Sequence, residues 1–188
     1  MAIGINDISS GIGLILDNII FLVVDYSHVK PGKGSAFVRV RLKNIKTDAV
    51  IERTFRSSER LDDVELAERR LQYLYRSGDS FHFMDHTSYE EAIVPKESLG
   101  DMDRFLLENL EVTGLAQGDK ILKIILPNFI VAQIVSTEQG IKGDSTRSGG
   151  KPARIETGSN IQVPLFININ EWVKIDTRTG EYVERVNK

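Results

Sequence analysis

Short apolar stretches separated by polar turns run along the whole chain. In the first third they predict strands near residues 12–16, 19–26, 36–43 and 50–56. In the last third they predict strands near residues 129–136, 153–157, 161–167, 172–176 and 181–186. Short strands at this spacing are typical of small barrels or sandwiches. The pattern therefore predicts an all-β protein.

The middle third combines two strand pairs with one helical pattern. The predicted hairpins are residues 70–75 with 80–84, turned at 77–79, and residues 111–115 with 121–126, turned at 117–119. Apolar residues on one helical face predict a short helix over residues 102–110. Strands with one short helix in about 65 residues suit a five-stranded OB-like barrel.

Two changes in composition divide the chain into three predicted domains, residues 1–60, 61–126 and 127–188. The first change is a polar stretch at residues 57–63, which we interpret as a linker, and the second is Pro127-Asn128. The net charge of the whole chain is −3, but its distribution is uneven. Lys and Arg outnumber Asp and Glu by nine to six in the first part and are outnumbered seven to fourteen in the second; the third part has eight against seven. Because phosphate contacts depend on local patches, a nucleic-acid partner stays possible.

The strand predicted over residues 36–43 has a basic face. Alternation places one set of side chains on the core side: Ala36, Val38, Val40 and Leu42. It places another set on the opposite side: Phe37, Arg39, Arg41 and Lys43. We interpret Arg39, Arg41 and Lys43 as a basic stripe that can contact an RNA backbone.

The segment before this strand holds a lysine between two glycines. Pro31 fixes its own φ and favours an extended Lys30, while Gly32 and Gly34 admit the positive φ of a tight turn. This arrangement predicts that Lys33 points away from the protein and presents its amine. An ordinary polar hairpin turn is the alternative interpretation.

Several classes of chemistry have no support in the sequence. The chain has no cysteine, which excludes disulfides, thiolate zinc sites and cysteine nucleophiles. The loop at Lys33 is not a P-loop, because Ser27 stands at the position of its first glycine and Gly34 separates the lysine from Ser35. No serine-hydrolase elbow is present. His82 and His86 straddle a predicted strand and turn, where they would not converge, so we expect no metal site.

No targeting or membrane signal is evident in the sequence. No stretch approaches the roughly 20 apolar residues of a membrane span. The first residues lack the basic segment and apolar core of a secretory signal. We expect a cytoplasmic protein without a membrane partner.

Three segments together resemble the bacterial translation elongation factor P family. They are the Lys33 loop, the turn Gly143-Asp144-Ser145 and the segment from Lys151 onward. The family signature is filled by Lys151, Ala153, Gly158, Ile161, Val163, Pro164 and Ile167. Asn170 stands where the last glycine of the signature is usual, and Ser145 replaces a threonine that is common in its turn.

The resemblance implies a fold of three small β-barrels in an L-shaped, tRNA-like arrangement. An SH3-like (KOW-type) N-terminal barrel would be followed by two OB folds. It also implies a monomeric, non-enzymatic factor without a cofactor. Such a factor binds the ribosome beside peptidyl-tRNA and relieves stalling at consecutive prolines.

The resemblance also assigns roles to individual residues. Lys33 would approach the acceptor end of the peptidyl-tRNA, supported by its loop neighbours Lys30, Pro31, Gly32 and Gly34. A lysine-modifying enzyme would extend Lys33 in many members, for example by β-lysylation. The turn at Gly143, Asp144 and Ser145 would face the small subunit near the codon.

Three other interpretations remain open at this stage. The chain could be an enzyme of phosphoryl transfer that uses its glycine loop, or a generic OB-fold protein that binds RNA or DNA without a ribosomal role. It could also be a divergent paralogue within the resembled family. The acidic middle part argues against the generic binder, because binding to phosphates favours positive charge.

Overall fold

A computed structural model describes residues 2–30, 32, 35–138 and 150–187. Within these residues the chain is all-β, as the sequence predicted, and its curled sheets form half-barrels. The strands are β1 (Ala2–Ile3), β2 (Gly13–Leu16), β3 (Ile19–Val29), β4 (Phe37–Asn44), β5 (Val50–Arg56), β6 (Leu61–Val64), β7 (Ala67–Ser77), β8 (Ser80–Asp85), β9 (Glu91–Pro95), β10 (Glu111–Gln117), β11 (Lys120–Ile125), β12 (Phe129–Thr137), β13 (Gly150–Ile155), β14 (Asn160–Pro164), β15 (Trp172–Asp176) and β16 (Tyr182–Val186).

The only helices in the described part of the chain are short 3-10 helices. They span Ile5–Asp7, Lys96–Ser98 and Gly100–Phe105. No helix found there has the length and apolar character that crossing a membrane requires. The chain divides into two compact units, residues 1–69 with 114–123 and residues 70–113 with 124–188.

The first sheet has the strand order β1-β6-β2-β3-β4-β5. Its core includes Leu14, Val38 and Leu42, which are fully buried. The interpretation of residues 57–63 as a linker is wrong for residues 61–63. These residues belong to strand β6, which pairs with β1 and β2. Leu61 and Val64 give this strand two buried side chains, so the sheet continues past residue 60.

The second sheet has the strand order β11-β10-β7-β8-β9. Both predicted hairpins, β7–β8 and β10–β11, are confirmed. Gly78 and Gly118 stand in their turns with φ of 60° and 57°, in the left-handed region that glycine adopts without strain.

The helix predicted over residues 102–110 is wrong. The 3-10 helix Gly100–Phe105 ends where Leu106 becomes extended, with φ −75° and ψ 109°. Asn109 then adopts a positive φ of 64°, which an α-helix excludes. Phe105 and Leu106 are both buried, so their apolar spacing reflects core packing by an irregular segment.

The third sheet has the strand order β14-β13-β12-β15-β16. Five side chains at the centre of its core are fully buried: Ile134, Ile155, Ile167, Val173 and Ile175. All five strands predicted in this third of the chain are confirmed, with ends that differ by up to three residues.

Candidate nucleic-acid interface

The candidate site starts from the long hairpin of β3 and β4. Its ladder runs from the pair Phe21–Asn44 to the pair Val29–Phe37, with an irregularity at Val24. Residues 30–36 therefore connect the two strands at the end of the ladder. Lys30 in this connection is exposed, and a Cβ added at Gly32 would meet nothing within 4 Å. Pro31, Lys33 and Gly34 lie outside the described residues, so presentation of the Lys33 amine stays a prediction.

Strand β4 has the two faces that its sequence predicted. Val38, Val40 and Leu42 have no exposed surface, whereas Arg39 and Arg41 are exposed. The predicted alternation is confirmed, because the strand packs one face on the core and leaves the other to solvent. The outward face of β4 therefore carries cations.

The cations on this face differ in how far acidic neighbours neutralise them. Arg39 Nε lies 3.3 Å from Glu52 Oε1, and both side chains are more than half exposed. Arg41 stands in register with Asp25 and Glu52, yet it makes no ion pair with any described residue. Arg41 is therefore more available to an anionic partner than Arg39 is.

Lys43 belongs to a three-residue ion cluster. Its Nζ lies 2.8 Å from Asp48 Oδ1, and Lys123 contacts the other carboxylate oxygen of Asp48. Burial raises the pKa of Asp48, but the hydrogen bonds from both lysines outweigh burial and hold this pKa below its ordinary value. Asp48 is therefore ionised at neutral pH, and Lys43 must exchange this partner before it contacts a phosphate.

Two further features of this sheet were not predicted from the sequence, and the first lies on the same outward face. Arg56 on β5 stands in register with Phe37 and is exposed, so it adds a cation to the outward face. Its position next to Phe55, the only buried residue of β5, is the signal that identifies it, because neighbouring side chains of a strand point to opposite faces. On the opposite face of the hairpin, Tyr26 and His28 of β3 stand in register with Val40 and Val38, and their exposed rings meet edge to face with centroids 5.6 Å apart.

The second predicted site loop begins and ends on neighbouring strands. Gly143, Asp144 and Ser145 lie outside the described residues, and their role stays a prediction. At the base of their loop, the Lys151 ammonium is buried and donates to the Glu138 carbonyl over 2.8 Å. The Thr137 hydroxyl donates to the carbonyl of Pro152 over 2.9 Å. These two bonds join the end of β12 to the start of β13.

The fold explains most of the signature residues. Ala153, Ile161, Val163 and Ile167 are buried in the core of the third sheet. Gly158 and Asn170 have φ of 91° and 70°. Asparagine enters the left-handed region more readily than other non-glycine residues, so Asn170 preserves the turn for which the signature uses glycine.

The two histidines four residues apart face different carboxylates. His82 Nδ1 lies 2.6 Å from Glu91 Oε1, whereas His86 Nε2 lies 3.8 Å from Glu111 Oε1. Strand β8 ends between them, which is why they diverge. Across residues 2–138 and 150–187, leaving aside 31, 33 and 34, no three His, Asp or Glu side chains are grouped to hold a metal ion.

Comparison with known proteins identifies three family domains in sequence order. Residues 4–61 match the elongation factor P KOW-like domain, residues 66–124 match the elongation factor P OB domain, and residues 130–185 match the C-terminal domain of elongation factor P. Elongation factor P of Gloeothece citriformis is 46% identical over 180 residues, which cover 96% of this chain and 97% of that protein. Elongation factor P of Moorella thermoacetica is 47% identical over 183 residues, covering 97% and 99%.

This chain belongs to the elongation factor P family. It is a translation elongation factor, and the family is not enzymatic. The predicted order of a KOW-type domain, an OB domain and a third C-terminal domain is confirmed. Among solved structures, eukaryotic translation initiation factor 5A from Methanococcus jannaschii aligns with a TM-score of 0.48 at 26% identity, covering 66% of this chain and 94% of that one.

Proposed function

We propose that this elongation factor P family member binds the ribosome beside peptidyl-tRNA and stimulates peptide-bond formation at consecutive prolines. Lys33 is the residue that contacts the tRNA acceptor end. The loop at Gly143, Asp144 and Ser145 contacts the small subunit near the codon. The factor acts by positioning and supplies no general acid or base.

The observation that carries this proposal is the β3–β4 hairpin. Its outward face presents Arg39 and Arg41, and its ladder leads directly to the exposed Lys30 and the segment that contains Lys33. Cations along a strand suit the phosphate backbone of RNA. This geometry supports a hairpin that tracks a tRNA backbone while its end reaches the reacting groups.

Positioning alone is sufficient for the effect required. A tenfold recovery of rate needs only about 1.4 kcal/mol off the barrier. Restricting the movement of the tRNA end can supply this amount. Reactants that are already held in the reactive orientation have lost their entropy on binding, and this lowers the barrier of the reaction step by several kcal/mol. A modification that lengthens Lys33, such as β-lysylation, would extend its reach, and it requires a lysine-modifying enzyme as a second partner.

The test is translation of a reporter with three consecutive prolines in a reconstituted system. Lys33→Ala should abolish rescue of the stalled reporter while leaving the fold intact. Lys46→Ala is the matched control, because Lys46 is an exposed lysine in another turn of the same sheet region and should keep rescue unchanged. Full rescue by the Lys33 variant would refute the assigned role.

Ribosome binding needs a separate measurement. Affinity for ribosomes that carry peptidyl-tRNA should exceed affinity for free single-stranded RNA by a large factor. Equal affinities would instead favour the generic OB-fold binder. Intact mass of the protein from its own host, followed by peptide mapping, would show whether Lys33 carries an added group.

A further inference from the structure

A second candidate site lies in the unit formed by residues 70–113 with 124–188. It is a half-open cleft of about 610 Å³, which lies within the size range of small-molecule sites. Loop residues 106–110 form one wall, and Val131, Glu156 and Trp172 belong to the other. None of these residues belongs to the interface proposed for RNA.

The charge of the cleft is one-sided. Glu108 and Glu156 both line it, and no Lys, Arg or His does. Glu156 Oε1 accepts a hydrogen bond from the Gln133 backbone N–H over 2.9 Å, which orients this carboxylate. Neither glutamate forms an ion pair with a described residue. Two carboxylates without a cationic partner favour a positively charged ligand.

The cleft also contains a buried phenol. Tyr73 is only 7% exposed, and its hydroxyl has no hydrogen-bond partner among the described residues. Burial and the negative charge of Glu108 raise the pKa of Tyr73. These two effects outweigh that of Arg76, which lowers the pKa. The hydroxyl is therefore neutral at physiological pH and remains available to a ligand in the cleft.

Apolar and aromatic surface completes the lining. Leu107 and Leu110 are half-buried and provide aliphatic surface, and the Trp172 side chain is half-buried. An aromatic ring attracts an ammonium group through its negative face. Aliphatic surface, aromatic rings and carboxylates are together the environment that suits an alkylammonium group.

We propose that this cleft binds an alkylammonium ligand, with its ammonium group held by Glu108 and Glu156 and its carbon chain against the leucines of the 106–110 loop. Two sources share this chemistry, a free linear polyamine and a lysine side chain of a protein partner. The inference goes beyond the proposed function and does not depend on it.

The cleft contains its own reporter, because Trp172 is the single tryptophan of the chain. The experiment titrates the full-length protein with spermidine and follows Trp172 fluorescence at low and moderate salt. Saturable change is expected, with affinity falling as salt rises because the contact is electrostatic. Putrescine and 1,4-butanediol have carbon chains of the same length, but only putrescine is charged, so comparing their binding isolates the contribution of charge. An equal response to both would overturn the proposal.

Variants test the two carboxylates. Glu108→Gln and Glu156→Gln should each weaken spermidine binding about threefold, and the double variant about tenfold, as expected for partly exposed charge pairs. The amide introduced by Glu156→Gln retains an oxygen that can accept the Gln133 N–H. Glu97→Gln is the control, because Glu97 is exposed in the same unit and does not line the cleft. Unchanged affinity in the double variant, or equal weakening by Glu97→Gln, would refute the site.

A short capped peptide with one lysine separates the two sources. Saturation by the peptide at concentrations similar to those of putrescine identifies a protein lysine as the ligand. Saturation by spermidine alone identifies a free polyamine. No saturable response to spermidine, putrescine or the peptide overturns the proposal. Far-UV circular dichroism of every variant verifies that the fold is retained.

Discussion

Replacing Asp48 by Asn should destabilise the hairpin of β4 and β5. The substitution removes the carboxylate that joins Lys43 and Lys123. Asp48 has a φ of 60°, and asparagine adopts this conformation readily, so the turn itself is preserved. The effect therefore reports on the ion cluster and not on backbone strain.

The structure sets the expected magnitude. The Lys43 and Asp48 side chains are 42% and 46% exposed, so solvent limits this pair to about 0.5 kcal/mol. The Lys123 side chain is only 15% exposed, and its charge-assisted contact contributes about 1 kcal/mol. The sum of about 1.5 kcal/mol corresponds to roughly tenfold faster exchange of amides that open with this hairpin.

Amide hydrogen exchange is the suitable assay, because Trp172 lies in the other unit and does not report on this hairpin. The reporting amides are those of Asn44, bonded to the Ala49 carbonyl, and Asp48, bonded to the Asn44 carbonyl. Asp17→Asn is the matched control. Asp17 also has a positive φ in a hairpin turn, but its contact with Arg53 is 3.6 Å long and highly exposed, so its loss should cost less than about 0.5 kcal/mol.

The dependence on pH gives a second test. The folded-state pKa of Asp48 lies below the ordinary value of 3.8, so its contribution is complete above that value and is lost as the pH falls through the folded-state pKa. The difference between wild type and Asp48→Asn should therefore be constant near neutrality and vanish in acid. A difference that persists in acid, or equal effects of the variants at 17 and 48, would contradict the reasoning.

Substitutions at three further positions test the packing, a turn and an ion pair. Gly13→Ala should lower the free energy of unfolding by about 2–3 kcal/mol. The added Cβ would lie 2.5 Å from Val64 Cγ1 and 2.8 Å from the Val64 carbonyl oxygen. Urea unfolding followed by circular dichroism measures the loss, and a value below about 0.5 kcal/mol would contradict this expectation. Asn170→Ala should cost about 1 kcal/mol by Trp fluorescence because φ is 70°, whereas Asn170→Gly should change stability by less. NMR titration should give Asp176 a pKa of about 2, because the Arg178 side chain and backbone N–H donate to its carboxylate. Arg178→Ala should raise this pKa. An unchanged pKa in the variant would exclude Arg178 as the cause.

The sequence predicted the strands whose pattern is strongly periodic, and missed those that depend on pairing partners. Strand β4 alternates strictly and was predicted together with its buried face. Strands β1, β6 and β9 were not predicted: β1 has only two residues, β6 carries charges in half of its positions, and β9 ends in a proline, which weakens a strand pattern. Strands β1 and β6 pair with each other from opposite ends of the first sheet's sequence, whereas β9 pairs with the preceding strand β8, and tertiary pairing of this kind overrides weak local preference.

The candidate interface was predictable only as far as local spacing reaches. Alternation identifies Arg39 and Arg41 as outward-facing residues from the sequence alone. It does not identify the ion cluster that contains Lys43. The third member of this cluster, Lys123, lies 75 positions after Asp48, beyond the reach of any local pattern. The cleft beside Trp172 likewise brings together residues from several separate segments, and no local pattern connects them.

The bonds from Lys151 to Glu138 and from Thr137 to Pro152 have a consequence for evolution and engineering. They hold the ends of β12 and β13 together where the two strands separate, so we expect the strand register to depend little on the residues between them. The entropy of closing a loop rises only slowly with its length. The interval 139–149 is therefore a position where foreign sequences of different lengths can be grafted while the sheet beneath keeps its pairing.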